Sequence, residues 1–261
     1  MCGLEVSSTD VSRAAKLLDD ELSHWKQRPL GQYVYIYLDA IYEKVRQAQS
    51  VMDSAVLIAY GVTPEGQREV LGLSVSLSEA EVHWRQFLES LCSRGLHGVS
   101  LIVSDAHSGL RAALKAVFPS IPWQRCQFHL QQNAQSYVTK AHRKKEVAES
   151  IRAIFNAENR TEAERLLKLS IEKYEKDMPK LAAWMEEAIP EGLSIFQFPV
   201  EHRRRIRTSN IAERVNEEIR RRTKVVRIFP NPDSCERLIG CLIMELSEKW
   251  LSGKTYLTMN I

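Results

Sequence analysis

Between Tyr33 and Phe128 the chain sets out short runs of β-branched and aromatic residues, punctuated by turn signals and by two amphipathic stretches. That order restricts the fold more than any other feature of the sequence. Tyr33–Leu38 reads as a buried strand ended by Asp39, Ser54–Val62 as a second strand, and Glu69–Ser76 as a third, after the turn TPEGQ. Connections this short predict an antiparallel meander. Ser78–Arg94 then places Val82, Phe87, Leu88 and Leu91 at helical spacing before Gly95. Val99–Ser104 is a fourth strand ended by Asp105, Leu110–Phe118 a helix stopped by Pro119, and Trp123–Phe128 a fifth strand. The sequence β-β-β-α-β-α-β predicts an α/β fold, a mixed sheet with helices packed against it.

The rest reads as helix. From His129 to about Ile189 Lys/Glu-rich faces alternate with Leu/Ile/Ala stripes, with breaks at Asn156, Pro179 and Pro190. GLSIFQFP (192–199) reads as a short extended piece, and Ser209–Thr223 and Asp233–Trp250 as the last helices. Upstream, residues 8–27 repeat Val11, Ala14, Ala15, Leu18 and Leu22 behind Ser8, a candidate N-cap, and RPLGQ breaks the pattern. No apolar run approaches the ~18 residues of a membrane span, and MCGLEVSSTD lacks the pattern of a secretion signal. The cysteines, Cys2, Cys92, Cys126, Cys235 and Cys241, are odd in number and scattered. They predict free thiols in a reducing cytoplasm.

Net charge is +3, but it is unevenly spread. Between Glu201 and Arg227 ten Lys/Arg face four acids, so the remainder of the chain is net acidic. A basic segment of this kind suits a polyanion, and equally a solvated helix face. Asp39 and Asp105 each end a strand, where α/β sheets gather ligands. Taken singly, either is as well explained as a turn or capping residue. If their strands are neighbours, the carboxylates converge. Glu213 lies early in a helix. With Asn210 as N-cap it could complete a capping-box-like pair, and Glu217 and Glu218 compete with it as a third acid. Three carboxylates around one cleft are the hard-oxygen set that Mg2+ takes. Two such ions support in-line phosphoryl displacement.

Five segments, YLDAIYEKVR (37–46), SLSEAEVHWRQFLESL (76–91), SDAHSGLRAALKAVFP (104–119), WQRCQFHLQQNAQ (123–135) and TSNIAERVNEEIRRRTKVVRIFPN (208–231), resemble in colinear order the blocks of the IS256/Mutator-like family of DDE transposases. The resemblance implies an RNase H-like mixed-sheet catalytic core interrupted by an all-helical insertion. It implies Asp39, Asp105 and Glu213 as the metal-holding triad, which settles the choice among the three glutamates. It implies two Mg2+ ions, with Mn2+ able to substitute, and metal-dependent DNA strand cleavage and strand transfer at insertion-sequence ends. Cys126 and His129 match the family's C-x-x-H motif. One Cys and one His are at most half a zinc site, so a structural or DNA-contacting role is expected of them.

The implied organisation is a remnant of an N-terminal helix-turn-helix DNA-binding region plus linker over 1–31, a first part of the core over 32–128, the helical insertion over 129–205, and the C-terminal core helices over 206–261. The expected partners are DNA, both terminal inverted repeats and target, and other copies of the chain on that DNA, with no membrane. The expected location is the cytoplasm, at the nucleoid. Phosphate contacts are expected from Arg203, Arg204, Arg205, Arg207, Arg220, Arg221, Arg222 and Lys224. SSTDVSR (7–13) resembles the start of a recognition helix without its partners, so the chain is expected to be truncated, with helix 8–27 mobile or docked elsewhere. The alternative is a catalytically inactive DNA-binding remnant that interferes with a full-length transposase.

Overall fold

A computed structural model describes residues 7–259. Its elements run α1 (Ser8–Gln27), β1 (Tyr35–Gln47), β2 (Ser50–Val62), β3 (Arg68–Ser76), α2 (Glu81–Ser93), β4 (Leu101–Ser104), α3 (Ser108–Val117), β5 (Trp123–Arg125), α4 (Gln127–Ala134), α5 (Lys144–Phe155), α6 (Arg160–Tyr174), α7 (Pro179–Ala188), α8 (Val200–Ile206), α9 (Asn210–Thr223) and α10 (Pro232–Leu251). The strands form one mixed sheet in the order β3-β2-β1-β4-β5. β1–β2 and β2–β3 are antiparallel, while β4 and β5 join in parallel. The expected meander followed by crossovers is what forms.

Alternation along the strands gives the sheet two apolar faces. Tyr35, Tyr37, Ile41 and Val45 of β1 join Val56, Ile58 and Tyr60 of β2 beneath Ile211, Val215 and Ile219 of α9 and Ile239 and Ile243 of α10. Ile36 and Leu38 point the other way, with Leu57 and Leu71, onto Trp84, Phe87, Leu88 and Leu91 of α2 and Leu110 and Leu114 of α3. A third cluster, built from α4 to α7, packs Leu130, Ile151, Phe155, Leu167, Tyr174 and Met185 around one another.

Four expectations are corrected. β1 does not end at Asp39 but runs eight residues further, because Ile41 and Val45 keep the interior alternation and β2 pairs with it throughout. Ala48 and Gln49, both at positive φ, turn the chain into β2. β5 stops at Arg125, and Cys126 already caps α4. GLSIFQFP is not extended; it falls largely within two 3-10 turns, Ile189–Gly192 and Ser194–Gln197. α9 is capped by Ser209 rather than Asn210, with no side-chain capping bond, so Glu213 completes no capping box.

α1 is docked on α10. Asp19 accepts a two-pronged bond from Arg237 at 2.6 and 2.7 Å, Lys26 pairs with Glu236 at 2.5 Å, and Leu22 lies over Gly240. A Cβ at Gly240 would come within 2.5 Å of the Leu22 side chain, so glycine permits the approach. Val11, Leu17 and Leu18, nearer the start of α1, are exposed. Cys92, Cys126, Cys235 and Cys241 are free thiols; Cys2 lies outside the described residues. No described helix is long and apolar enough to cross a membrane.

Candidate active site

The parallel pairing of β1 and β4 ends at Tyr37 opposite Val103. Two residues further along each chain come Asp39, still inside β1, and Asp105, just past the end of β4, close enough for the Asp105 charge to act on Asp39. β1 continues beyond this point with β4 gone from its side, so the two acids border the opening where the strands part. Strand alternation puts Asp39 on the face that α9 covers, in line with Tyr37 and Ile41. Asp105 begins the turn into α3 and accepts from the His107 N–H at 3.4 Å through Oδ1.

α9 supplies the third side of the opening. Asn216 donates its side-chain amide to Asp39 Oδ2 at 2.5 Å, and Thr223 two turns later donates to Glu43 at 2.9 Å. The helix therefore runs along β1. Glu213, three residues before Asn216, shares its face of the helix. Its Oε1 is buried and has no hydrogen-bond partner among the described residues. The rival acids differ. Glu217 is exposed, and Glu218 is held by Arg221 at 2.7 Å and by Arg222 at 3.3 Å.

Burial pushes the Asp39 carboxyl up to about 6. The Asn216 bond pulls it down, the Asp105 charge pushes it up, and His129 pulls it down again. His129 is itself raised to about 9, first by its bond with Cys126, against burial, and further by Cys126, Asp105 and Asp39. The charges of both aspartates favour the protonated ring, and the His129 Nδ1 is buried and unpartnered among the described residues.

Cys126 links this group to the start of α9. Its Sγ accepts from both the N–H and the hydroxyl of Ser209 at 3.4 Å. Burial works to raise its thiol, but the bonds from His129 and Ser209 outweigh that and hold it below the usual range. Alongside, the Gln127 N–H donates to Arg207 O at 2.9 Å, and Arg207 Nε donates to Gln127 Oε1 at 2.7 Å. The junction of β5 and α4 is thereby bonded to the junction of α8 and α9, which fixes the first turn of α9 and with it Glu213.

Asp39 thus has Asn216, Asp105 and His129 acting on it, and Glu213 follows on the Asn216 face of α9 one turn earlier. The donor set is hard oxygen, and the orphaned Glu213 oxygen suits a cation. Among the described residues no three His, Cys, Asp or Glu side chains converge as a metal-holding cluster. Sequence reasoning missed Asn216, although its position three residues after Glu213 was the signal for it. It also missed Glu79, buried at 8% exposure and 3.8 Å from His107.

The basic segment divides. Arg203 donates to the carbonyls of Glu158, Phe196 and Phe198, and Arg207 to Gln127, Asn156 and Phe155 O, so these two brace the helical cluster. Arg221 and Arg222 are paired with Glu218. Arg204, Arg205, Arg220 and Lys224 are exposed.

The profile of the Mutator family of transposases matches residues 1–253. The transposase for insertion sequence element IS406 of Burkholderia multivorans is 57% identical over 257 residues, 98% of this chain and 66% of the relative. That for ISRM5 of Rhizobium meliloti is 40% identical over 261 residues, 100% of this chain and 65% of the relative. That for IS256 in transposon Tn4001 of Staphylococcus aureus is 35% identical over 271 residues, 100% and 67%. The chain spans about two thirds of the length of these relatives. Likeness to solved structures is slight: the Mos1 transposase paired-end complex with left transposon end gives a TM-score of 0.23 at 10% identity, covering 75% of this chain and 66% of that one.

Proposed function

Because the chain belongs to the Mutator family of transposases, we propose that it carries a DDE-type centre for metal-dependent DNA strand cleavage and strand transfer at the ends of an insertion sequence. The observation that carries this reading is that Asp39 and Asp105 each lie two residues past the last β1–β4 pair and act on one another, with Asn216 of α9 bonded to Asp39 and the Glu213 Oε1 on the same helix face unspent. The sheet order and the α9 cover agree with an RNase H-like core, in which 32–128 and 206–261 are two parts and 129–205 an insertion.

Asp39, Asp105 and Glu213 are the residues that would hold Mg2+ or Mn2+. Bound there, such ions supply Lewis-acid activation of an attacking oxygen and neutralise charge on the phosphodiester. The protein's own work is positional. The parallel pairing of β1 and β4 brings the two aspartates to the same end of the strands, and Asn216 holds one oxygen of Asp39. The His129 cation offsets the repulsion between the aspartates. Water attacking a strand end, and afterwards a DNA 3′-hydroxyl attacking target DNA, are both in-line phosphoryl transfers that need no covalent protein–DNA bond.

The purified chain, given DNA carrying an insertion-sequence end and Mg2+ or Mn2+, should nick that DNA. Asp39→Asn should abolish nicking and leave DNA binding at wild-type strength. A chain that binds DNA and never cuts it would instead be the interfering, non-catalytic form.

A further inference from the structure

Two arginines from distant segments, Arg68 and Arg205, share the face of the Tyr256 ring, and the charge of a third, Arg214, acts on Arg68. Arg68 opens β3, Arg205 lies near the end of α8, and Arg214 follows Glu213 on α9. Burial, and then the charges of Arg214 and Arg205, hold the Arg68 guanidinium below its ordinary range, with only Tyr256 acting the other way. The Arg68 guanidinium lies over Trp250 at 4.4 Å and Tyr256 at 5.1 Å, and that of Arg205 over the same Tyr256 ring at 4.8 Å. Arg68 Nε is buried and has no hydrogen-bond partner among the described residues. Arg214 is exposed and forms no ion pair or side-chain hydrogen bond among them.

The chain's last described residues build this place. The N–H groups of Tyr256 and Leu257 donate to Gly66 O at 2.9 and 3.2 Å, and His202 of α8 bonds Thr258 O at 2.8 Å. Gly66 sits at φ +79, and a Cβ there would meet Leu257 O at 1.7 Å, so no other residue admits this contact. The aromatic rings account for the faces of the guanidiniums but not for their N–H edges or their mutual repulsion. An anion answers both, and the planar donor fork of arginine fits phosphate oxygens. The location fits too. Tyr37, two residues before Asp39 on the same strand face, donates to Arg205 O at 3.2 Å, and Arg214 is the neighbour of Glu213. Two strand residues span roughly 7 Å.

We propose that Arg68, Arg205 and Arg214 form a subsite for one backbone phosphate of the DNA strand that enters the carboxylate site. The assignment rests on the DNA-processing function proposed above. It adds Arg68 and Arg214, outside and inside the basic segment, to the groups that hold the strand.

Titrating a short DNA duplex with wild type, Arg68→Gln, Arg214→Gln and the double variant at several salt concentrations tests it. Each single change should weaken binding about tenfold. The double variant should flatten the log–log salt dependence by no more than about 0.9, the value for one phosphate. Arg68→Lys, which keeps charge but loses the fork, should keep the slope and bind more weakly. Arg214→Gln touches an exposed side chain, so its melting temperature should not move even if Arg68→Gln loosens the Trp250 contact. Wild-type affinity and slope in Arg214→Gln and Arg68→Gln would overturn the subsite while leaving DNA binding intact. A slope loss of about 1.8 in the double variant would mean two separate phosphates and overturn it as well. Absence of DNA binding by the wild type would instead overturn the DNA-processing function, and the subsite with it.

Discussion

Asn216 donates to Asp39 across 177 positions of sequence, at 2.5 Å, and the same helix face carries Glu213 one turn earlier. The amide bond is one of the influences holding down a carboxyl that burial raises to about 6. Asn216→Ala should therefore raise Asp39 further. Protons and metal compete for the same oxygens, so the acid limb of the cleavage profile should move to higher pH. Activity at pH 6 should fall a few-fold, with less loss at pH 8. A rate reduced equally at every pH would make Asn216 a packing residue only.

The raised Asp39 carboxyl also has a cost in stability. Its folded value of about 6 exceeds the unfolded value of roughly 3.9, so the native state binds the proton more tightly. The penalty is absent below about pH 4, grows as pH rises, and is complete above about pH 6. In chelator, Asp39→Asn should melt higher than wild type at pH 7.5, by at most about 3 kcal/mol of stability, and the two should coincide near pH 4. Added Mg2+ or Mn2+ should stabilise the wild type alone. Equal melting temperatures in chelator at pH 7.5 would refute the buried-charge reading.

Cys126 bonds the start of α9 through Ser209. Cys126→Ala should leave DNA binding in place and slow cleavage by up to about a hundredfold, the effect expected when a reacting group is displaced by about 1 Å. Single-turnover kinetics beside a binding titration separates the two. Ser209→Ala, which keeps the backbone N–H contact, should be milder. Equal loss of binding and cleavage would place Cys126 in general folding rather than in setting α9.

Arg220 and Lys224 are exposed on the outer side of α9 and its end, while Arg221 and Arg222 are occupied by Glu218. Neutralising Arg220 and Lys224 should flatten the salt dependence of DNA binding by up to about 0.9 each. Arg221→Gln should be nearly silent. A larger effect from Arg221 than from Arg220 would reverse this division.

How far the sequence could be read depends on which residues carry the signal. Strand alternation and the acids at Asp39 and Asp105 were visible because periodicity is local. The far half of β1 was not, because EKVRQAQ looks polar and the turn at Ala48 and Gln49 lacks the Gly or Asn that marks such hairpins. Ile41 and Val45 kept the period nonetheless. The Cys126–Ser209 contact spans 83 positions, so the motif could be noticed but not explained. Nothing local tells Arg203 and Arg207, bound to backbone carbonyls, from Arg204 and Arg205 beside them. The helix over 8–27 was legible, but its seat depends on Gly240, a residue whose spacing gives no hint of Leu22.

The wide sequence separation of Asp39 and Asn216 has a consequence for biosynthesis. Strand β1 emerges from the ribosome early, yet its acid remains an isolated carboxylate until α9 has followed and closed over it. Long-range closures of this kind come late in folding. A half-made chain therefore has no assembled site, and the DNA cleavage proposed for it would be withheld until synthesis has passed α9.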